Sequence, residues 1–456
     1  MLESIRFKNF KAWADTGTVR LAPLTVVFGG NSAGKTSFAQ LLLLLKQTAA
    51  SPDRQRVLHL GDSHALVDLG TFEDVIHRHE VDRSLEIELA WTLPKWLRWE
   101  DPYHRENHEA DALQLTAVVQ QIDQRPTVAR LSYQIGLGSS GPRIGMERQP
   151  SRGDYKLTSR RFKAVRQVGR KWPLPPPVRF YGFPEQTVAY YQNTAFVADL
   201  NLETEKLFQR IHYVGPLREP PQRVYVWSGE RPEHVGQRGE RAIEALLAAS
   251  GRSLNFKSRQ RVTPFQEVVA ERLQRMGLVS EFKTVPIAEG RKEHEVLVRT
   301  HPSGPMVRIT DVGFGVSQIL PVVTECFYVP HSSTVIFEQP EIHLHPRVQA
   351  DLADLFIDAL RARESGSERK IQLLVESHSE HFLRRLQRRI AEQQLRADDV
   401  AAYFVEMTPD GAQLRDLEID DYGNVTNWPP DFFGDEMADL MAMTEAARRR
   451  RAESHE

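Results

Sequence analysis

Cysteine is nearly absent from this chain: Cys326 is the only one in 456 residues. A single thiol excludes an internal disulfide and makes a reducing, cytoplasmic setting the expectation. Long apolar runs are missing too. The longest purely aliphatic stretch is Leu41 to Leu45, far short of the ~20 residues a membrane span needs, and the opening MLESIRFKNF has no apolar signal-peptide core. No membrane association is expected. Neither sign of charge dominates, with 59 Lys+Arg against 61 Asp+Glu and a net charge of −2. That excludes a histone-like polycation and confines any nucleic-acid binding to a local patch. No internal repeat is present. What remains is a globular composition, 41% hydrophobic, 9% aromatic and 26% charged, long enough for about three domains or for one large core with insertions.

Periodicity divides the chain. Leu2 to Phe10 and Leu21 to Phe28 read as strands, and the second runs through a glycine-rich turn into the helical pattern SFAQLLLLLKQ. Alternating stretches between Leu85 and Tyr155 predict an antiparallel meander forming a side lobe. The run Trp172 to Pro177 suits a lobe boundary because consecutive prolines cannot continue a helix or a central strand. Strand–helix alternation resumes past Thr300: Gly315 to Phe327, Val348 to Arg363 and Ser379 to Gln393 read as helices, Thr334 to Phe337 and Ile371 to Val375 as buried strands. The expected divisions are 1–90 and 301–415 as two parts of one head, 91–204 as an inserted β-rich lobe, 205–300 as a connecting region, and 416–456 as a short C-terminal module.

Gly29-Gly30-Asn31-Ser32-Ala33-Gly34-Lys35-Thr36 satisfies G-x-x-x-x-G-K-[ST] and lies between an apolar strand and a helix start. Glycines allow backbone N–H groups to turn toward phosphates, Lys35 supplies a point charge, Thr36 can ligate Mg²⁺, and the helix dipole favours an anion. ATP and Mg²⁺ are the expected ligands. Such a loop needs an acid at the end of a neighbouring buried strand, and Glu338, directly after three apolar strand residues, is the metal candidate. A second apolar strand leads to His378, placed where open α/β sheets make ligand contacts.

The N-terminal strands, the phosphate loop, the segment Val312-Gly313-Phe314-Gly315-Val316-Ser317-Gln318, the box Glu338-Gln339-Pro340-Glu341-Ile342-His343-Leu344-His345-Pro346 and Ser377-His378-Ser379 follow one another in this order. In that arrangement they resemble the ABC-type ATPase heads of the SMC, RecF and overcoming-lysogenization-defect group. Tyr422-Gly423-Asn424, Asn427-Trp428-Pro429 and Phe432-Phe433 are similar to a bacterial branch of AAA-labelled ATPases with a short uncharacterised C-terminal domain. The resemblance implies an α/β fold, an ABC-like P-loop head with a mixed, largely parallel sheet. It also implies a homodimer or higher homo-oligomer in which two heads sandwich two nucleotides. Gly313, Gly315 and Ser317 would then face the other subunit's nucleotide as the signature segment, although the usual L-S-G-G-Q is not literally present. In such heads a glutamate general base normally follows the metal acid; here that position is Gln339, whose amide can orient water but cannot take its proton. Either Glu341 or His378 helps, or turnover is slow and ATP acts chiefly as a clamp. The resemblance further implies a DNA-directed or phage-defence system with a separate effector protein. The alternative is a nucleotide-gated sensor or scaffold with little hydrolysis.

Between Arg143 and Lys171 ten basic residues face only Glu147 and Asp154, a local net charge of +8, interleaved with Tyr155 and Phe162 and followed by Trp172. Arg160, Arg161, Lys163, Arg166, Arg170 and Lys171 are candidates for nucleic-acid phosphates; a solvated or protein-docking face is an equal reading. His343 and His345 lack a third ligand at suitable spacing and read as shaping their loop. Glu418, Asp420 and Asp421 read as a solvated acidic loop, since too few residues follow for a nuclease domain.

Overall fold

The computed structural model describes all residues except 104, 139–140, 170–171, 257–261, 430–440, 448–449 and 451–456. Strand β1 (Leu2–Phe10) buries Leu2, Ile5, Phe7 and Phe10. Pro23 has no N–H to donate, and the strand expected from Leu21 begins just after it, as β2 (Leu24–Gly29). The phosphate loop and helix α1 (Lys35–Ala50) follow. The meander is present as β3 (Leu85–Asp101), β4 (Glu106–Ile122), β5 (Arg125–Ile135), β6 (Arg143–Arg148) and β7 (Tyr155–Arg160), each pairing antiparallel with the next.

It does not stand apart as a side lobe. β3 pairs antiparallel with β1, setting Ile5 opposite Leu89 and Phe7 opposite Ile87, and with the short strands Trp13–Asp15 and Val19–Arg20 the whole forms one eight-stranded sheet. The apolar face of β1 needs a partner to cover it, and β3 carries the matching alternation. The boundary expected at residue 91 therefore falls inside β3, and the one at 204 inside α2 (Val197–Gln209). Leu174, in the proline-rich run, is buried and bridges Tyr155, so that run packs against the sheet.

The longer remaining elements include β8 (Ile211–Val214), α3 (Ala242–Ala248), α4 (Phe265–Arg275), the hairpin β9 (Glu281–Pro286) and β10 (Glu293–Arg299), α5 (Phe314–Tyr328), β11 (Thr334–Glu338), α6 (Pro346–Arg361), β12 (Gln372–Glu376), α7 (Glu380–Ala391), β13 (Val400–Thr408) and β14 (Gly411–Leu417). A six-stranded sheet runs in the order β8, β11, β12, β2, β13, β14. Every pairing in it is parallel except the β13–β14 hairpin. Parallel sheets are covered on both faces, and the side chains divide accordingly. Val27, Ile336, Leu374 and Val405 pack with α1 and the antiparallel sheet, whereas Val26, Phe28, Val335, Phe337 and Val375 pack with α5, α6 and α7. The fold is thus α/β, with the C-terminal ends of β11, β12 and β2 side by side along one edge.

The C-terminal motif residues lock onto α7. A Cβ at Gly423 would sit 2.1 Å from the Gln387 carbonyl oxygen, Gln387 Nε2 donates to Gly423 O at 2.8 Å, and the Arg384 guanidinium lies 5.0 Å over the Trp428 ring. Phe432 and Phe433 lie outside the described residues. Cys326 is buried in α5.

Candidate functional site

The phosphate loop is shaped by close approach. Gly29 (φ +146°) is paired with Val405 of β13, and a Cβ there would lie 2.3 Å from the Val405 carbonyl oxygen, so only glycine fits. Gly34 (φ +101°) caps α1, and its carbonyl accepts from Trp13 Nε1 at 3.1 Å. Gly30, Asn31 and Ser32 are exposed, Ser32 with φ +60°, while Ala33 is buried. Lys35 Nζ donates to the carbonyls of Gly29 (3.0 Å) and Gly30 (2.6 Å). Burial lowers its pKa, with Glu376 and Glu341 pulling the other way.

The acids come next. Thr36 Oγ1 donates to Glu376 Oε1 at 3.1 Å, and the other Glu376 oxygen is buried with no partner among the described residues. Glu338, in register with Glu376 on the neighbouring strand, accepts from Tyr213 Oη at 2.6 Å. Burial pushes the Glu376 carboxyl up to about 7, and the Glu338 charge adds to that. Burial also raises Glu338, opposed by Tyr213 and Arg218. Thr36, Glu376 and Glu338 offer only oxygen donors, and an orphaned carboxylate oxygen among them fits a hard cation such as Mg²⁺. Among the described residues no group of three His, Cys, Asp or Glu could hold a metal.

The box after β11 folds back onto the end of β12. Gln339 takes φ +44° and donates its N–H to Glu376 O at 2.9 Å, and its Nε2 lies 3.5 Å from His378 Nε2. Glu341 is buried and accepts from Ser377 Oγ (2.9 Å) and His378 N (2.6 Å). It holds the turn that carries His378, and burial raises its pKa. Burial lowers His378, and Lys35 adds to the effect, favouring the neutral imidazole. His345 Nδ1 accepts from Arg347 N at 3.3 Å and caps α6. Lys35, Thr36, Glu338, Gln339, Glu341 and His378 therefore meet in one place.

Gly313, Gly315 and Ser317 are not joined to that cluster. Gly313 caps α5, Phe314 beside it is 70% exposed, and Ser317 Oγ donates to Phe314 O at 2.9 Å within the same turn.

The basic segment splits. Arg160, Arg161 and Lys163 are exposed. Arg166 instead lies 5.5 Å from the Tyr191 ring centroid and donates to the Trp172 carbonyl. Tyr155 and Phe162 are buried, Tyr155 donating to Val128 O at 2.7 Å and Phe162 packing edge-on against Phe196, so neither offers a face for base stacking. Arg170 and Lys171 lie outside the described residues.

Three residues of the site were not singled out from the sequence. Glu376 follows an apolar strand just as Glu338 does, and that shared pattern was the available signal. Tyr213 ends no motif. Arg218, in the turn after β8, is 7% exposed, and burial pulls its guanidinium down to about 10 against the attraction of Tyr213, Glu338 and Glu341.

A phosphate loop between a parallel strand and a helix, with acids ending the next two strands on one side of it, defines a P-loop ATPase-type domain. Residues 197–384 match the family described as "AAA domain, putative AbiEii toxin, Type IV TA system", and residues 395–443 match "Protein of unknown function (DUF3696)". The first match spans the acids, the box and His378 but begins after the phosphate loop. Together the two bear out the AAA label and the short uncharacterised C-terminal domain that the sequence resemblance named. No curated protein matches the sequence. Similar solved structures include an SMC head bound to the C-winged helix domain of ScpA, at 11% identity, covering 92% of this chain and 98% of that one with a TM-score of 0.44. The SMC head domain from Thermotoga maritima is 10% identical, with coverages of 92% and 99% and a TM-score of 0.38. A Pyrococcus furiosus SMC head with an extended coiled coil, bound to the C-terminal domain of ScpA, is 10% identical, with coverages of 98% and 99% and a TM-score of 0.42. Among the described residues no helix is long and apolar enough to cross a membrane.

Proposed function

We propose that this protein binds Mg-ATP at the phosphate loop, hydrolyses it and dimerises around the nucleotide in the cytoplasm. The observation that carries this reading is the Thr36–Glu376 hydrogen bond, which brings the first turn of α1 and an acid-bearing strand to one point. Loop N–H groups and the α1 N-terminus hold the phosphates, and Lys35 turns its ammonium from the loop carbonyls toward them. Thr36, Glu376 and Glu338 are the residues that would hold Mg²⁺, which when bound neutralises charge developing on the phosphoryl oxygens. Gln339 and the neutral His378 orient the attacking water, and Glu341 fixes His378 through its backbone N–H. Gly313, Gly315 and Ser317 serve the other subunit's nucleotide. The family description naming a toxin–antitoxin system supports a separate partner or effector protein, and the resemblance supports a DNA-directed or phage-defence setting. Exposed Arg160, Arg161 and Lys163 are the nucleic-acid candidates. ATP turnover with and without DNA, measured beside the mass of the assembly in each nucleotide state, tests the reading; absence of Mg-ATP binding refutes it.

A second reading, a nucleotide-gated sensor or scaffold with slow hydrolysis, is favoured by one feature. Gln339 cannot accept a proton, and one oxygen of Glu341 is already committed to Ser377 and His378. Single-turnover hydrolysis far slower than nucleotide-dependent dimerisation supports this version.

A further inference from the structure

The turn after β8 reads Gly215-Pro216-Leu217-Arg218-Glu219, and both its ends are tied down. Gly215 N donates to Gln237 O and Glu219 N to Arg238 O, each at 2.8 Å. The Tyr213 ring folds back over Gly215; a Cβ there would lie 2.9 Å from the tyrosine hydroxyl oxygen. That hydroxyl donates to Glu338, so the turn is locked against the acid ending β11.

Within this turn Leu217 is 70% exposed and Arg218 only 7%. Arg218 Nε and Nη1 are buried without a hydrogen-bond partner, and no ion pair engages the guanidinium among the described residues. Glu338 and Glu341 are near enough to act on it electrostatically. Other buried arginines share an unpartnered Nε, but each has a partner for its guanidinium: Arg369 donates to the carbonyls of Cys326 (2.9 Å) and Val329 (2.7 Å), Arg179 to Tyr181 Oη (2.7 Å), and Arg272 pairs with Asp358 (2.8 Å). A buried cation with unused donors is costly unless something else takes them up. The sheet order places the Arg218 turn and the phosphate loop on the outer two of four adjacent strands, β8 and β2, with Glu338 and Glu376 on the strands between. A guanidinium fork matches two phosphoryl oxygens, and beyond the acids the group it would meet is the end of the phosphate chain.

We propose that Arg218 is a second cationic contact to the terminal phosphate of the nucleotide held by the same chain's phosphate loop, facing Lys35 across the two acids. This rests on the Mg-ATP reading above. Calorimetric titration of the full chain with a non-hydrolysable Mg-ATP analogue and with Mg-ADP tests it. Arg218→Ala is expected to weaken the triphosphate about ten- to hundredfold, the loss of a charge-assisted bond, while leaving the diphosphate nearly unchanged, and Arg218→Lys is expected to restore part of the loss. Equal weakening of both nucleotides, or no weakening of the triphosphate, overturns the assignment. Should Arg218→Ala not fold, Arg218→Lys carries the test: it keeps the charge but loses the fork, and an unchanged triphosphate-to-diphosphate affinity ratio overturns the proposal. An unmutated chain that binds neither nucleotide refutes the phosphate-loop reading as well; one that binds both, with the ratio unaltered in the Arg218 variants, refutes only Arg218.

Discussion

Glu338 and Glu376 stand opposite each other on adjacent parallel strands, each ending its strand. Two carboxylates so placed repel, and they are tolerated because each has its own donor, Tyr213 for Glu338 and Thr36 for Glu376. On the Mg-ATP reading proposed above, both carboxylates would hold the metal, where the sequence pointed to Glu338 alone. Glu338→Ala is expected to retain part of the nucleotide binding and lose metal-dependent hydrolysis. Glu376→Gln is expected to raise the Mg²⁺ concentration needed for half-maximal turnover about tenfold or more. Normal Mg²⁺ titrations in both variants would place the metal elsewhere.

Lys35→Ala removes the ammonium that lies within the loop while leaving the apolar face of α1 intact. Binding of Mg-ATP is expected to fall below detection in calorimetry with the thermal midpoint little changed. Unchanged affinity would end the phosphate-loop assignment.

Gln339→Glu places a carboxylate beside His378 and Glu376. If water activation limits turnover, hydrolysis rises and the proposed ATP-bound dimer becomes shorter-lived, read by single-turnover hydrolysis measured beside dimer lifetime. Glu341→Gln is expected to lower turnover by releasing the His378 backbone N–H. Full activity in that variant, with no gain from Gln339→Glu, would leave His378 or the phosphate itself as the proton acceptor.

Reversing Arg160, Arg161 and Lys163 to glutamate is expected to weaken DNA or RNA binding and flatten its salt dependence, since each lost phosphate contact releases fewer counterions. Arg166 is left out because Tyr191 and Trp172 already engage it. A salt series identical to that of the unmutated chain would assign this face to protein docking.

Glu325, inside α5, is buried, and burial pushes its carboxyl up to about 8 from an ordinary 4.5, opposed by the Val235 N–H donated to it and by Arg369 and Lys46. Between those two values the native chain keeps a proton that the unfolded chain has released, so stability falls as pH rises and levels off above 8. The loss is on the order of a few kcal/mol. Glu325→Gln is expected to flatten the decline in denaturation midpoint between pH 6 and 8.5; an equally steep decline would contradict this origin.

Local patterns carried much of the architecture. The strand, glycine turn and helix around Lys35, the buried strands ending at Glu338 and Glu376, and helices such as Phe314–Tyr328 all follow from contiguous residues, because periodicity and turn chemistry act over a few positions. The antiparallel meander was likewise readable from its alternation, although β6 and β7 were read only for their charge. Its union with β1 was not, since alternation marks a buried face without naming the strand that covers it.

What the sequence determined by itself was local chemistry: a phosphate-loop motif between a strand and a helix, an acid after one apolar run, a histidine after another. What only the tertiary structure decided was their assembly. Thr36 and Glu376 are 340 residues apart, and the turn carrying Arg218 comes near Glu338 only because β8 lies beside β11. Strand order is set by which apolar faces bury one another, a long-range balance that no short window of residues contains.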